Sequence, residues 1–586
     1  MKIDIINQKN EELTKLQNDY KNKSRIFSLG RLLSFLLFIA GLLLGSLVND
    51  FFYILAIASI IVFIVLAIFH DRLLNKLNKV ELKLGALDAY QKRNTDAWRE
   101  FPDKGTEFLD KKAYYQSDLD LFGQASLYQY INTAKTPYGR KYVADAIKNH
   151  QFEDLDKRQR AISELANYLD LALDIESSGR GYAKALKKNT TISSIKTMGE
   201  NIKAISNINI VALICAILGP IALVTSLILL GIGIVDFRIP IFVVIFNLAS
   251  AFVFRRGMNE ALENIFDSSL TLDSYLGFLD CLKYDVKEEL NVNNLSCLSG
   301  YQESLKSFHF RASLVNARRN AIVAVLGNGL FQYDFWCVML YRNWQKKYGN
   351  DVLAFIKTIG FMEELNSLAV IERIKENSCM PKVSERISFT NLVHPLLDEK
   401  IAVGNDFILR GLDIITGSNM SGKTTFMRTI GLNMILFSTG SFVTGSSFEG
   451  FYLKIFTSMR ATDDVSQGIS TFYAEILRIK EMLGYLDNQE NVLVLVDEIF
   501  KGTNTIDRIC GAKGAIKRLL RPYVYGIIAT HDNELCESVL ENYHFEEKYD
   551  GDVISFDYKI KPGIAKTTNA KHLMRLAGII GEDYNE

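Results

Sequence analysis

Apolar and polar positions divide the chain into stretches of three rhythms. In the first, apolar residues run almost without interruption. Residues 32–48 and 51–69 are parted only by Asn49 and Asp50, and residues 208–230 and 239–254 repeat the arrangement around a Gly-rich link holding Asp236 and Arg238. A helix rises about 1.5 Å per residue, so about 20 apolar residues cross the hydrocarbon of a bilayer. Each pair predicts a transmembrane helical hairpin, over residues 32–69 and 205–256. The fourth run is short for a span, but its pairing with the third returns the chain to its starting side. Two plainer readings compete: a signal peptide for the first run and a buried pair of core helices for the second hairpin. A signal peptide needs a single run and a cleavage site, and here a second run follows at once.

The second rhythm places apolar residues three and four apart, as at Val352, Phe355, Ile356, Ile359, Met362, Leu365 and Leu368. It predicts an all-α domain in two parts, 116–204 and 257–384, interrupted by the second hairpin. The polar segments 1–31 and 70–115 read as helical extensions of the first hairpin, a cytoplasmic N-terminal segment and a helical linker. From 385 to 586 the rhythm changes again. Short β-rich runs at 407–416, 492–496 and 523–530 alternate with helical stretches, which predicts a mostly parallel sheet with helical crossovers.

Charge orients the hairpins. Lys2, Lys9, Lys15, Lys21, Lys23, Arg25 and Arg31 precede the first span, and Arg72, Lys76, Lys79 and Lys83 follow the second. Lys196 and Lys203 precede the third and Arg255 and Arg256 follow the fourth, while the two tips share one basic residue, Arg238. Basic flanks stay inside, so both tips are expected to face out of a cytoplasmic (inner) membrane, with everything else in the cytoplasm. Over the 586 residues, 67 Lys and Arg balance 67 Asp and Glu, which excludes a uniformly basic nucleic-acid binder but not a local patch. The seven Cys are scattered, with no CxxC, so neither a disulfide scaffold nor a zinc site is expected.

The densest chemistry is Gly417-Ser418-Asn419-Met420-Ser421-Gly422-Lys423-Thr424, which fits G-x-x-x-x-G-K-[ST] between a buried-strand pattern and a helix opening at Thr425. Glycines let successive N–H groups turn toward a phosphate, and the helix start adds positive potential. Lys423 is suited to β/γ-phosphates and the Thr424 hydroxyl to Mg²⁺. A second signal is the apolar strand 493–496 ending in Asp497 and Glu498: the first acid suits Mg²⁺ and the second an attacking water. His531 follows the strand at 523–530, where a γ-phosphate sensor would sit. Ser470 and Thr471 open a helix whose Phe472, Ile476, Ile479 and Leu483 share one face. The plainer readings are a chance glycine turn, an ordinary pair of strand-end acids and a surface histidine. Phosphate loop, serine-led helix and acid strand come in the order used by ATPases that dimerise head to tail.

Together these residues resemble the MutS family of DNA mismatch repair ATPases. The likeness runs through TGSNMSGKTTFMRTIGLN (416–433), GSFV (440–443), IFTSMRATDD (455–464), STFYAE (470–475), DEIFKGTNTID (497–507) and ATHDNEL (529–535), with His394-Pro395 resembling the entry to the family's ATPase domain. Residues 127–143, 158–162 and 362–369 are similar to its core helices. The resemblance implies an α/β P-loop ATPase domain of the ABC/MutS type, C-terminal to an all-α core carrying the two transmembrane hairpins. It implies ATP and Mg²⁺ held by Gly417, Ser418, Asn419, Met420, Ser421, Gly422, Lys423, Thr424 and Thr425, with the metal on Thr424 and Asp497. Glu498 and His531 would be catalytic, and Ser470 would act in trans across a homodimer of ATPase domains.

Departures from the pattern bear on function. The region where an N-terminal mismatch-reading domain is expected carries the first hairpin. A long C-terminal dimerisation tail is not expected either, and Thr567-Thr568-Asn569-Ala570 stands where the family has a Ser-Tyr-Gly-Ile stretch. The expected function is a membrane-anchored MutS-like ATPase, with lipid contact through four spans and DNA binding inferred from kinship. The alternative is an ATP-driven, membrane-associated conformational switch without DNA. A transporter is disfavoured by the scarcity of polar groups within the spans.

Overall fold

The computed structural model describes residues 2–149, 154–186, 190–203, 209–284, 296–418, 420–460, 471–500, 504–550 and 553–565. The first two apolar runs are halves of much longer helices, α1 (Lys2–Leu47) and α2 (Phe52–Arg93). Each is about 65 Å long at 1.5 Å per residue. Small residues let them close at the tip: a Cβ on Gly41 would lie 2.8 Å from the Ala56 nitrogen. Their distal halves leave large apolar side chains exposed, such as Leu33 and Ile57. Their proximal halves bury Ile6, Leu13, Val80, Leu87 and Tyr90 against Leu173, Val370 and Ile374. Helix was expected through 115 but stops at Arg93. Thr95 caps a 3-10 turn, Asp96–Glu100, and Pro102 and Gly105 (φ +62°) keep the following chain irregular as far as α3 (Tyr114–Asp118).

The helical part comprises α4 (Leu127–Ile131), α5 (Pro137–Asn149), α6 (Leu155–Asn167), α7 (Leu169–Ala185) and α8 (Ile192–Lys203). After the second apolar pair, α9 (Ile210–Gly231) and α10 (Arg238–Tyr275), come α11 (Ser296–Ala317), α12 (Ala321–Phe331), α13 (Tyr333–Tyr348), α14 (Val352–Leu368) and α15 (Val370–Ile374). The seven apolar residues of α14 singled out by their spacing are all buried. Gly360 permits close contact with α5, since a Cβ there would lie 2.9 Å from the Gly139 nitrogen. Glu363 on α14 accepts from the Lys135 and Thr136 backbone nitrogens and the Thr136 hydroxyl, at the start of α5. The fourth apolar run does not end near 256. With no Pro and one Gly between Arg255 and Tyr275, α10 continues into the core, burying Ile265, Leu272 and Tyr275. By length and composition, α1, α2, α9 and the Arg238–Arg256 portion of α10 suffice to cross a membrane.

The C-terminal part is α/β. Its strands are β1 (Lys382–Val383), β2 (Ile387–Leu392), β3 (Asn405–Leu409), β4 (Leu412–Thr416), β5 (Ser447–Gly450), β6 (Lys454–Ser458), β7 (Val492–Asp497), β8 (Val524–Ala529), β9 (Asn542–His544), β10 (Glu547–Asp550), β11 (Val553–Phe556) and β12 (Lys561–Pro562). Three longer helices, α16 (Lys423–Ser438), α17 (Thr471–Tyr485) and α18 (Thr505–Leu519), alternate with them. The main sheet has the order β12-β9-β4-β8-β7-β6, parallel except for β12 at its edge. A smaller sheet, β1-β5-β2-β3, packs beside it. Residues 407–416, expected to form one strand, fall into two. The chain breaks at Arg410-Gly411, sending β3 to the small sheet and β4 to the centre of the large one. One apolar core joins the helical part to the sheet, with Leu119 tight against Gly431 of α16, where a Cβ would lie 2.7 Å from its Cδ2.

Candidate nucleotide site

The sheet order brings the chemistry together. β8 lies between β4 and β7, and the register pairs Ile415 with Ala529 and Ala529 with Asp497. The C-terminal ends of three strands therefore form one row, from which the glycine loop, the acid pair and His531 emerge. Strands β4 and β7 are buried nearly throughout, and apart from Asp413 near the start of β4 their polar residues stand at this end.

The loop from 417 turns on residues with positive φ: Gly417 (+147°), Met420 (+71°) and Gly422 (+109°). At Gly417 a side chain would collide, since a Cβ would lie 2.6 Å from the Phe545 carbonyl oxygen. Lys423, buried at the start of α16, donates to the Gly417 and Ser418 carbonyls at 2.7 and 2.9 Å, so its ammonium lies along the loop. Ser418 donates to Glu547 at 2.8 Å. The Thr424 hydroxyl donates to Asp497 Oδ2 at 2.6 Å, crossing from helix to strand end. Thr425 is exposed at the cleft wall. Glu498 has φ +59°, a conformation that is strained for a side chain of its size. Its backbone N–H is held by the Ala529 carbonyl at 2.9 Å, and its Oε1 lies 3.0 Å from His531 Nε2. Asn419 and Ser470 lie outside the described residues.

Ser418, Lys423, Thr424, Thr425, Asp497 and Glu498 line one side of a cleft of about 520 Å³, with His531 behind Glu498 and outside the lining. The other side is apolar, formed by Leu397, Ile401, Val403, Phe545 and Tyr558 around His394. Burial, with Arg428 and Lys375 nearby, drives the His394 imidazole down to about 3, so it is neutral at physiological pH, and its Nδ1 accepts from the Leu396 nitrogen. A polar end with cation and hydroxyl donors and an apolar end with a tyrosine suit a phosphate tail and a planar base. The Thr424–Asp497 pair also fits Mg²⁺, which takes few protein oxygens and keeps water and phosphate as its other ligands. Among the described residues no cluster of three or more His, Cys, Asp or Glu offers an all-protein metal site. None of residues 472–485 lines the cleft; α17 instead buries Ile479 and Leu483 against the sheet core.

Sequence patterns pointed to the polar end and missed the apolar one. Ile401, Val403 and Tyr558 belong to no short motif, and His394 stood out only through its neighbour Pro395. Asp118 and Asp120 were missed for the same reason. Asp120 pairs with Arg428 of α16 at 2.9 Å and with Arg460 at 2.8 Å.

Residues 413–582 match the family model described as MutS domain V. The chain is 32% identical over 250 residues to the DNA mismatch repair protein MutS of Methanococcoides burtonii, covering 40% of this chain and 28% of that protein. It is 35% identical over 222 residues to the protein of the same name from Lactobacillus delbrueckii subsp. bulgaricus, covering 35% and 26%. The Chlamydia muridarum protein of that name is 34% identical over 214 residues, covering 33% and 26%. The chain thus spans less than a third of the length of the curated relatives it matches. The α/β C-terminal part of the chain thus carries a domain of the MutS family.

Proposed function

We propose that the chain is a membrane-anchored MutS-type ATPase that binds ATP and Mg²⁺ in the cleft and acts as a head-to-tail homodimer. The observation that carries this reading is the shared row of strand ends, with Thr424 on Asp497 at 2.6 Å and Glu498 beside His531 at 3.0 Å. Backbone N–H groups of the glycine loop and the start of α16 cradle the phosphates, and Lys423 swings from the loop carbonyls onto the β/γ oxygens. When bound, Mg²⁺ neutralises charge on those oxygens. Thr424 and Asp497 are the residues that hold it. Glu498 orients the water and takes its proton, while His531 fixes that carboxylate and senses the γ-phosphate. Ile401, Val403 and Tyr558 receive the base. A trans role for Ser470 is carried by the family resemblance, and it agrees with a cleft that residues 472–485 of the same chain do not line.

On this reading residues 385–586 form a P-loop ATPase domain on a two-part core, with four spans in the cytoplasmic membrane and both tips outside. DNA binding, and a place in mismatch repair, rest on kinship with proteins that bear that name. A second reading, a conformational switch acting on the membrane without DNA, is favoured by the unbroken course of α10 from the fourth span into the core. A tilt of the core would reach the span without a hinge.

The test is ATP turnover by the detergent-purified protein with and without homoduplex and mismatched DNA, at two salt concentrations. Stimulated turnover with salt-dependent duplex binding supports the DNA reading. ATP-dependent self-association without duplex binding supports the switch. Absence of turnover under every condition rejects both.

A further inference from the structure

Among the described residues, α12 is an apolar helix that neither the spans nor the ATPase reading explains. No charged residue stands between Arg319 and Asp334. Its side chains are nonetheless turned outward: Ile322, Val325, Leu326 and Phe331 are 68%, 56%, 57% and 59% exposed. In water such a face on so short a helix is costly.

Two contacts bracket α12 against α10. At its entry, the Arg319 guanidinium lies 4.2 Å from the ring of Phe266, beyond Arg255 and Arg256 on the core side. At its far end, the Gly329 carbonyl accepts from the Asn247 side chain at 3.0 Å. Asn247 lies nine residues before Arg256, which places it about 13 Å further along the helix. That is close to half the thickness of a bilayer's hydrocarbon, about 15 Å.

The polar groups at the break between α12 and α13 are met by protein, beginning with Asp334, two residues past the turn, which pairs with Arg318 at 2.6 Å. The chain turns by 87° at Gln332, which has φ +55°. Hydrocarbon offers nothing to the backbone groups freed by such a turn, so protein must supply the partners. Asn247 serves Gly329, and the Asn328 side chain accepts from the Asp334 nitrogen at 3.0 Å. Gln332 ties the turn to α10, donating to the Asn247 carbonyl at 2.9 Å and to Ser250. The chain does not go on to cross. α13 runs back along α11, with Tyr333 on the Leu314 carbonyl, Trp344 on the Ser304 carbonyl and Tyr348 on Glu303.

We infer that α12 is a re-entrant element, dipping into the bilayer beside α9 and α10 and returning to the side it came from, with its outer face against lipid acyl chains. This rests on the membrane reading above, because its belt continues that of the two spans. It makes the second membrane unit two spans plus a half-helix, directly joined to the core through α11 and α13.

Photocrosslinking in phosphatidylcholine vesicles tests it with the full chain. Val325→p-benzoylphenylalanine is compared with the same substitution at Ile217 of α9 and Ile245 of α10 as span controls, and at Ile506 as a cytoplasmic control. All four side chains are exposed, so folding should survive. The expected result is lipid adducts at 325 to within about twofold of 217 and 245, and none at 506. Lipid adducts at 217 and 245 but not at 325, or a crosslink from 325 to protein, overturn the inference alone. Failure at 217, 245 and 325 together overturns the membrane reading with it.

Discussion

At the scale of residues, the site depends on a carboxylate held in an uncommon backbone conformation. Glu498 pairs with His531 while its neighbour Asp497 is engaged by Thr424. If Glu498 is the base, Glu498→Gln should lower the hydrolysis rate by about 10²–10⁴-fold while leaving nucleotide affinity near the parental value. Single-turnover kinetics with a separate binding measurement checks this, and turnover at the parental rate would remove Glu498 from the role. A different carboxylate governs pH. Asp413, inside β4, is raised from 3.8 to about 7 by burial and by Glu541. A folded value above the unfolded one gives stability that is complete below the unfolded value and lost as pH rises through the folded one. Asp413→Asn removes that loss. Its advantage in thermal unfolding midpoint over the parent should therefore grow between about pH 4 and about pH 7, and level off above. An advantage that shrank over this range would contradict the assignment.

Between elements, the short α3 does more than its length suggests. Asp118 at its end is fully buried, accepts from Thr457 at 2.7 Å and the Met459 nitrogen at 3.1 Å, and lies 3.7 Å from Arg478 of α17. One carboxylate thus fixes the end of β6 and α17 to the chain descending from the first hairpin. Asp118→Ala should cost about 2–4 kcal/mol, since several buried donors lose an acceptor. Denaturant unfolding in detergent measures the cost, and a change under about 0.5 kcal/mol, typical of surface sites, would show the clamp to be idle. Elements were legible in the sequence where a single period governed them. The β7 strand follows from its unbroken apolar run ending in acids, and the buried stripe of α14 from spacing at three and four. The split of 407–416 into β3 and β4 was hidden, because both halves carry strand-like residues and only sheet partners separate them. The continuation of α10 beyond 256 was hidden because a change from apolar to mixed residues marks an environment, not a helix end.

For the whole molecule, the proposed membrane reading together with the distribution of Lys and Arg would put both hairpin tips on one side and all else on the other. Cysteine labelling in intact cells checks this. Asn49→Cys and Gly233→Cys, in a Cys510→Ser background, should react with a membrane-impermeant maleimide, whereas native Cys510, exposed on α18, should react only after permeabilisation. Labelling of Cys510 in sealed cells would reverse the orientation.

By itself, the amino-acid sequence determined the local chemistry: which loop has the glycines for a phosphate, which strand ends in acids, which runs are apolar enough to span. These properties reside within a few consecutive residues, where spacing and side-chain type suffice. Only the tertiary structure decided that β8 separates β4 from β7, aligning Ile415, Ala529 and Asp497, and that Tyr558 and Ile401 close the far end of the cleft. It also decided that α12, an ambiguous apolar stretch, lies against Asn247. Each of these is a meeting of residues tens to hundreds of positions apart, set by sheet order and helix packing.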